Sequence, residues 1–161
     1  MSITYLEMQD AMRKRQDKLD SDRNILNKEA KMLFSSYKQS LSLGATTYIS
    51  NGSNKQNKVT DIGIIKDGRF IAKDPSEVAL GDDNILTLCI KTDVVQFPET
   101  YKPRPILVLF QMHLDEDRVG VFLHDSKELR EISTSIQDAG KYVELAELIK
   151  RIVLNKISIL N

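Results

Sequence analysis

Residues 4–43 contain neither Gly nor Pro, and this uninterrupted stretch constrains the fold more than any other feature of the sequence. It is rich in Leu, Met, Ala, Gln, Lys, Arg and Glu, which are the strongest helix formers, and Gly44 follows as a helix stop. A helix of about 40 residues would be about 60 Å long, more than the width of a compact domain of this size. The sequence therefore predicts one long helix over residues 1–43, which precedes an α+β domain over residues 44–161.

The two halves of this helix differ in apolar content. From Ile25 onward apolar residues recur every three or four positions, which predicts that this half docks on a core. Before Ile25 the stripe is thin, because the companion positions hold Arg15 and Asp22. We expect the first half to project or to meet another helix, and its predicted partner-binding residues are Met8, Met12, Leu19 and Leu26. The alternative is a solvated helix folded back on its own domain.

The middle of the chain has the pattern of an antiparallel sheet. Residues 59–66 and 69–73 flank Asp67-Gly68, a pair that suits a two-residue type I′ turn, so a hairpin is predicted there. Further strands are expected over residues 85–91, 106–112 and 119–123, with residue 112 facing 119 across a turn at Asp115-Glu116. Residues 50–58 have no large apolar side chain and are expected to form a solvated loop.

Helical signals return on either side of this sheet. Asp74-Pro75 favours the start of a short helix near residues 75–80, since Asp suits an N-cap and Pro suits the first turn. Asp125, Glu128 and a three-to-four-residue apolar spacing predict a helix over residues 125–139, and a second helix is expected from Lys141. The fold class is therefore α+β: a long N-terminal helix, an antiparallel sheet of five to six strands, a short helix and two C-terminal helices.

Several chemistries lack their usual residues. The seven glycines include no G-x-G, so a phosphate-binding glycine loop is not expected. The single cysteine, Cys89, lies in an apolar strand and is expected to be a buried structural thiol. The predicted hairpin register separates His113 from His124 by roughly 20 Å, so they could not share a zinc ion. No catalytic residue, metal ligand or cofactor is predicted.

The charged residues suggest two alternative functions, nucleic-acid binding and a metal-dependent nuclease. The 23 basic and 23 acidic side chains cancel, yet the first hairpin and its loop carry five cations: Lys55, Lys58, Lys66, Arg69 and Lys73. These predict a possible nucleic-acid-binding ribbon, although cations also solubilise an edge hairpin. A third hypothesis, a small metal-dependent nuclease, rests on Asp82-Asp83 and Lys91, but Cys89 stands where a second carboxylate would be needed.

The sequence thus favours a non-enzymatic interaction protein acting through its N-terminal helix. Accessory or adaptor subunits, immunity proteins, antitoxins and chaperones share this profile by analogy of fold alone, and the other form of such a protein is a homo-oligomer that self-associates through its helices. The longest apolar run covers residues 106–110, so no membrane association is expected. One cysteine and no secretory signal pattern predict a cytoplasmic location.

Overall fold

The structure is a computed structural model that describes residues 2–41, 47–49, 56–81, 83–94 and 104–159. Its first element is helix α1, Tyr5–Ser40, which confirms the long N-terminal helix and is about 54 Å long. Thr4 caps the helix: its side chain accepts from the Glu7 N–H, and the Glu7 carboxylate accepts from the Thr4 N–H. This reciprocal capping box fixes where the helix begins.

Six antiparallel strands form the main sheet, in the spatial order β4-β3-β5-β6-β7-β8, which confirms the predicted sheet. Their bounds are β3 Thr60–Lys66, β4 Arg69–Ala72, β5 Leu86–Val94, β6 Arg104–Asp115, β7 Arg118–Leu123 and β8 Glu128–Ser133. A separate two-stranded sheet pairs β1, Thr47–Ile49, with β2, Gln56–Lys58. The expectation of a loop over residues 50–58 is therefore wrong for its last three residues, and residues 50–55 lie outside the described part.

The Asp67-Gly68 hairpin is confirmed. Lys66 faces Arg69 across the turn, and Asp67 and Gly68 have φ values of 52° and 75°. Positive φ at both central residues is what a type I′ turn requires, and its twist matches that of the flanking strands.

The prediction of two C-terminal helices is wrong. Residues 128–133 form the edge strand β8 beside β7, a 3₁₀ turn covers Ala139–Tyr142, and only helix α2, Val143–Ile159, follows. The predicted short helix near residues 75–80 is a single 3₁₀ turn, Pro75–Glu77, capped by Asp74 as expected. The β6–β7 register is shifted by two residues, because the tight turn lies at Glu116-Asp117 and Met112 faces Val121.

Both helices pack on the same face of the sheet. The C-terminal half of α1 buries Leu26, Leu33 and Tyr37, and the Tyr37 hydroxyl hydrogen-bonds the Thr92 hydroxyl of β5 at 2.7 Å. The remaining core residues come mainly from the inner faces of β5, β6 and β7 and from α2: Leu86, Leu88, Ile90, Val108, Phe110, Met112, Val119, Val121, Leu123, Leu145, Ile149, Ile152 and Val153. This core is what holds α1 in place.

Polar contacts hold both ends of the docked half of α1. The Arg23 guanidinium donates to the carbonyls of Ser76 and Val78, and the Lys150 ammonium donates to the Ser40 carbonyl at the end of the helix. A cation is favoured at a helix C-terminus, where carbonyl groups lack partners within the helix. In the described part of the chain, neither helix is long and apolar enough to cross a lipid bilayer.

Candidate functional site

The first turns of α1 and the three residues before them form an arm, defined here as residues 2–18. Every residue of the arm is exposed, including Tyr5 at 74%, Met8 at 54% and Met12 at 65%. The helical part of the arm, residues 5–18, is about 21 Å long at 1.5 Å per residue, and no residue of the arm contributes to the core. Since it continues a helix that is docked at its other end, its backbone direction is set by the domain.

One face of the arm is an apolar seam that continues the docked face of the same helix. The seam residues Tyr5, Met8, Met12 and Arg15 follow steps of three, four and three, and Leu26 and Leu33 occupy equivalent heptad positions further along. Leu26 and Leu33 are fully buried, whereas Leu19 is half-buried at the boundary. The domain therefore covers this helix face from Leu26 onward and leaves it open in the arm.

The predicted partner-binding residues consequently occupy different environments. Met8 and Met12 stand on the open seam, while Leu19 lies at the edge of the domain. Leu26 is part of the chain's own core and is not available on the surface. The part of this helix face that is open to a partner is therefore the arm seam, without Leu26.

A second candidate surface is a cleft between α1 and the β3–β4 hairpin, of about 530 Å³. Lys31 and Lys38 of α1 face Lys58 and Lys73 across it, and we call this the lysine cleft. The two helical lysines were not predicted from the sequence. Their spacing of seven residues, which places both on one helix face, was the available signal.

The lysine cleft is not uniformly basic. Asp61, Asp74 and Glu77 also line it, and Lys31 forms an ion pair with Asp74 at 3.2 Å. Hydrogen bonds from the Ser76 hydroxyl and N–H lower the pKa of Asp74 to about 2, with a smaller contribution from Lys31. Asp74 is therefore negatively charged at any ordinary pH, and the cleft carries four positive charges against three negative ones.

Only two of the five predicted nucleic-acid-binding cations meet in this cleft, namely Lys58 and Lys73. Lys66 and Arg69 are exposed cross-strand neighbours at the tip of the hairpin, away from the cleft lining. Lys55 lies outside the described residues. The cationic ribbon expected from the sequence is thus divided between a hairpin tip and a cleft.

A buried ionic cluster, which was not predicted from the sequence, joins α1 to the chain before α2. The Lys141 ammonium donates to Glu29 Oε1 at 2.7 Å and to the carbonyls of Ser133 and Ile136. The Tyr142 hydroxyl donates to Glu29 Oε2 at 2.9 Å, and burial together with the Glu29 charge raises the pKa of Tyr142. All three N–H donors of the Lys141 ammonium and both carboxylate oxygens of Glu29 have hydrogen-bond partners. The cluster therefore has a structural role, because it connects two segments of the fold.

The isolated histidines and the cysteine form no reactive group with one another. His113 faces Gly120, and the backbone N–H of His124 donates to the Leu109 carbonyl, so the histidines lie four residues apart along β6, about 13 Å. Burial raises the pKa of the Cys89 thiol to about 11, which disfavours the thiolate. In the described ranges, no group of three or more His, Cys, Asp or Glu side chains is placed to hold a metal ion.

Comparison with known proteins gives no match, whether to a family model, to a curated protein or to a solved structure. The function therefore has to be inferred from the chemistry of the arm and of the lysine cleft.

Proposed function

We propose that this chain is a non-enzymatic protein-binding module that acts through its arm. The observation that carries the proposal is that a capped, docked helix extends beyond its domain as an arm, which has an open apolar seam and adds nothing to the core. An amphipathic helix with anchors at steps of three and four is a common means of binding another helix or an apolar groove.

The side chains of the seam suit this role. Met8 and Met12 are long, unbranched and polarizable, so they adapt to uneven partner surfaces. Tyr5 adds a large apolar ring with a polar end, a residue type that is enriched at protein interfaces. An accessory or adaptor subunit, or a binder of the immunity, antitoxin or chaperone type, in the cytoplasm, fits these properties.

The test compares Met12→Gln on the seam with Leu6→Gln, which removes a similarly exposed apolar side chain from the opposite face of the same helix. The full chain is used to capture partners from the native cell extract, and each captured protein is then purified and titrated. We expect Met12→Gln to weaken binding at least several-fold and Leu6→Gln to have little effect. Equal binding by both variants would show that the seam is not the binding surface.

A nucleic-acid-binding accessory role is a second candidate. It is supported by the convergence of Lys31, Lys38, Lys58 and Lys73 from two elements on one open cleft, where they could contact phosphates. Asp61, Asp74 and Glu77 in the same lining oppose it, which is why it ranks second.

Oligonucleotide titration at two salt concentrations tests this role. Lys38→Glu combined with Lys58→Glu should weaken binding and reduce its salt dependence, because fewer counterions are released. Lys127→Glu combined with Arg151→Glu changes the net charge equally at exposed positions outside the cleft lining. An equal loss in both double variants would indicate a general charge effect and would remove the cleft from consideration.

A further inference from the structure

We infer that the arm binds a second copy of itself, with the two helices antiparallel. The inference rests on the proposed function of the arm and names its partner. It is carried by the order of the side chains along the seam and by the distribution of charge along the arm.

The seam has a spacing that is the same in both directions. Tyr5, Met8, Met12 and Arg15 are separated by three, four and three residues, so an antiparallel copy can align all four positions at once. In this alignment Met8 packs against Met12 of the second copy, and Met12 against Met8. Tyr5 packs against Arg15 at both ends, where a guanidinium over a phenol ring is a favourable cation–π pair.

A parallel alignment lacks these pairings. It would place Arg15 against Arg15 at the inner end of the seam, where two like charges repel. In the described structure the ion pairs along the arm are Asp10–Arg13 and Lys18–Asp22, which leave Arg15 without an anionic partner. The antiparallel alignment replaces this repulsion with contacts to Tyr5.

Charge along the arm also favours the antiparallel alignment. Residues 2–10 carry the acidic side chains Glu7 and Asp10 and no basic one, whereas residues 11–18 carry four basic side chains and one acidic. Antiparallel arms bring the acidic outer half of each beside the basic inner half of the other. Parallel arms would place halves of the same sign side by side.

The length of the arm fits this arrangement. In the alignment of Met8 with Met12, Tyr5 at the start of one helix lies level with Arg15 of the other, before the half-buried Leu19. The two domains therefore lie at opposite ends of the helix pair. Such an overlap is small for a protein interface, so we expect a reversible dimer with a dissociation constant on the order of micromolar.

The experiment is disulfide trapping with full-length chains. A Tyr5→Cys chain and an Arg15→Cys chain are mixed and oxidised, and the antiparallel dimer predicts a mixed disulfide between residues 5 and 15. A parallel dimer predicts 5–5 and 15–15 disulfides instead, because positions 5 and 15 are then about 15 Å apart. The unsubstituted chain is the control, since its only cysteine, Cys89, is buried. Predominance of like-to-like products, or random mixtures, would overturn the antiparallel assignment.

Sedimentation equilibrium measures the association without added cysteines. The wild-type chain and Leu6→Gln should dimerise with similar constants, and Met12→Gln should weaken dimerisation at least several-fold. Circular dichroism verifies that both variants fold, as expected for substitutions outside the core. Self-pairing is overturned if the wild-type chain stays monomeric at a protein concentration about ten times the expected micromolar dissociation constant. If that monomer still binds a different protein through the seam, the proposed function stands, and if it binds none, both fail.

Discussion

At the scale of single residues, the most constrained group is the buried cluster of Glu29, Lys141 and Tyr142. The side chains of Glu29 and Lys141 are 4% and 5% exposed, so neither charge is solvated by bulk water. Their mutual ion pair and the surrounding hydrogen bonds replace that solvation. The cluster connects the docked half of α1 with the start of α2, and loss of one member leaves the other charge buried.

Lys141→Met should destabilise the protein by about 3–5 kcal/mol, because the Glu29 carboxylate would keep its burial and lose its cation. Lys18→Met is the matched control. Its ammonium is largely exposed where it pairs with Asp22, just beyond the arm, and this pair should contribute under about 1 kcal/mol. Urea unfolding of both variants measures the difference. A similar midpoint for the two would show that the buried pair contributes no more than the exposed one.

The buried Cys89 thiol predicts a loss of stability in alkaline solution. Burial raises its pKa from an ordinary value of 9.0 to about 11 in the folded chain. Below pH 9 both folded and unfolded states hold the proton, but between pH 9 and 11 the unfolded state releases it while the folded state retains it. Stability attributable to this group should therefore fall as the pH rises, by up to about 1.4 kcal/mol per pH unit.

Urea unfolding between pH 8 and 11 measures this slope. Cys89→Ala lacks the thiol and should lose stability less steeply over the same interval, whatever its stability at pH 8. Tyrosines and lysines titrate in both proteins and cancel in the comparison. If stability falls equally steeply with pH in the wild type and in Cys89→Ala, the Cys89 thiol is not the cause of the loss.

At the scale of elements, the β3–β4 hairpin depends on a close backbone approach as well as on its turn. A Cβ atom at Gly63 would lie 2.0 Å from the Ile71 carbonyl oxygen of the neighbouring strand, far inside van der Waals contact. At Gly81 the nearest such atom, the Ile85 carbonyl oxygen, would be 3.5 Å away, an ordinary contact distance. Gly63 therefore cannot be replaced without moving β4, whereas Gly81 can.

Gly63→Ala should destabilise the protein by at least about 2 kcal/mol, because backbone atoms of β4 have no alternative rotamer to adopt. Gly81→Ala, with the same added methyl group, should change stability by under about 1 kcal/mol. Thermal unfolding monitored by circular dichroism distinguishes them. Equal stability of the two variants would mean that β4 moves without cost.

The elements also show what sequence patterns could and could not predict. Helix α1 and the Asp67-Gly68 hairpin were predictable, because propensity and turn chemistry are local. Strand β8 was not, since Leu129, Ile132 and Ile136 have a helical spacing and only pairing with β7 makes residues 128–133 extended. The shifted β6–β7 register kept the same residues facing inward, because a shift of two preserves the alternation of a strand.

Of the two candidate surfaces, the arm seam was predictable in part from the sequence, and the lysine cleft was not. Exposure of Met8 and Met12 agreed with the thin apolar stripe before Ile25. Leu26 lies in the same stripe, and only the position of the domain boundary shows that it is buried. The lysine cleft needed tertiary structure, because Lys31 and Lys58 come together through the packing of α1 beside the hairpin.

At the scale of the whole molecule, the arm does not contribute to the stability of the domain. None of the residues 2–18 is buried, and the first polar contacts between α1 and the rest of the described chain come from Arg23. Stability is thus contributed by the docked half of the helix, the sheet and α2.

Deletion of residues 1–18 should change the free energy of unfolding by under about 1 kcal/mol, the size expected for changes away from a core. The shortened and full-length chains are compared by urea unfolding at a concentration well below that of dimer formation. A loss of several kcal/mol would show that the arm packs on the domain. Unchanged stability combined with lost partner binding would separate the two halves of α1 by role.

The absence of Gly and Pro from residues 4–43 has a consequence for orientation. Successive residues of an α-helix are rotated by about 100° and advance by 1.5 Å along the axis. The core contacts of Leu26 and Leu33 therefore determine the direction in which Met8 and Met12 project from the helix axis. One alanine inserted after Ser21 would rotate the seam by more than a quarter turn and leave every arm side chain intact. The helix thus determines the direction in which this molecule presents its seam.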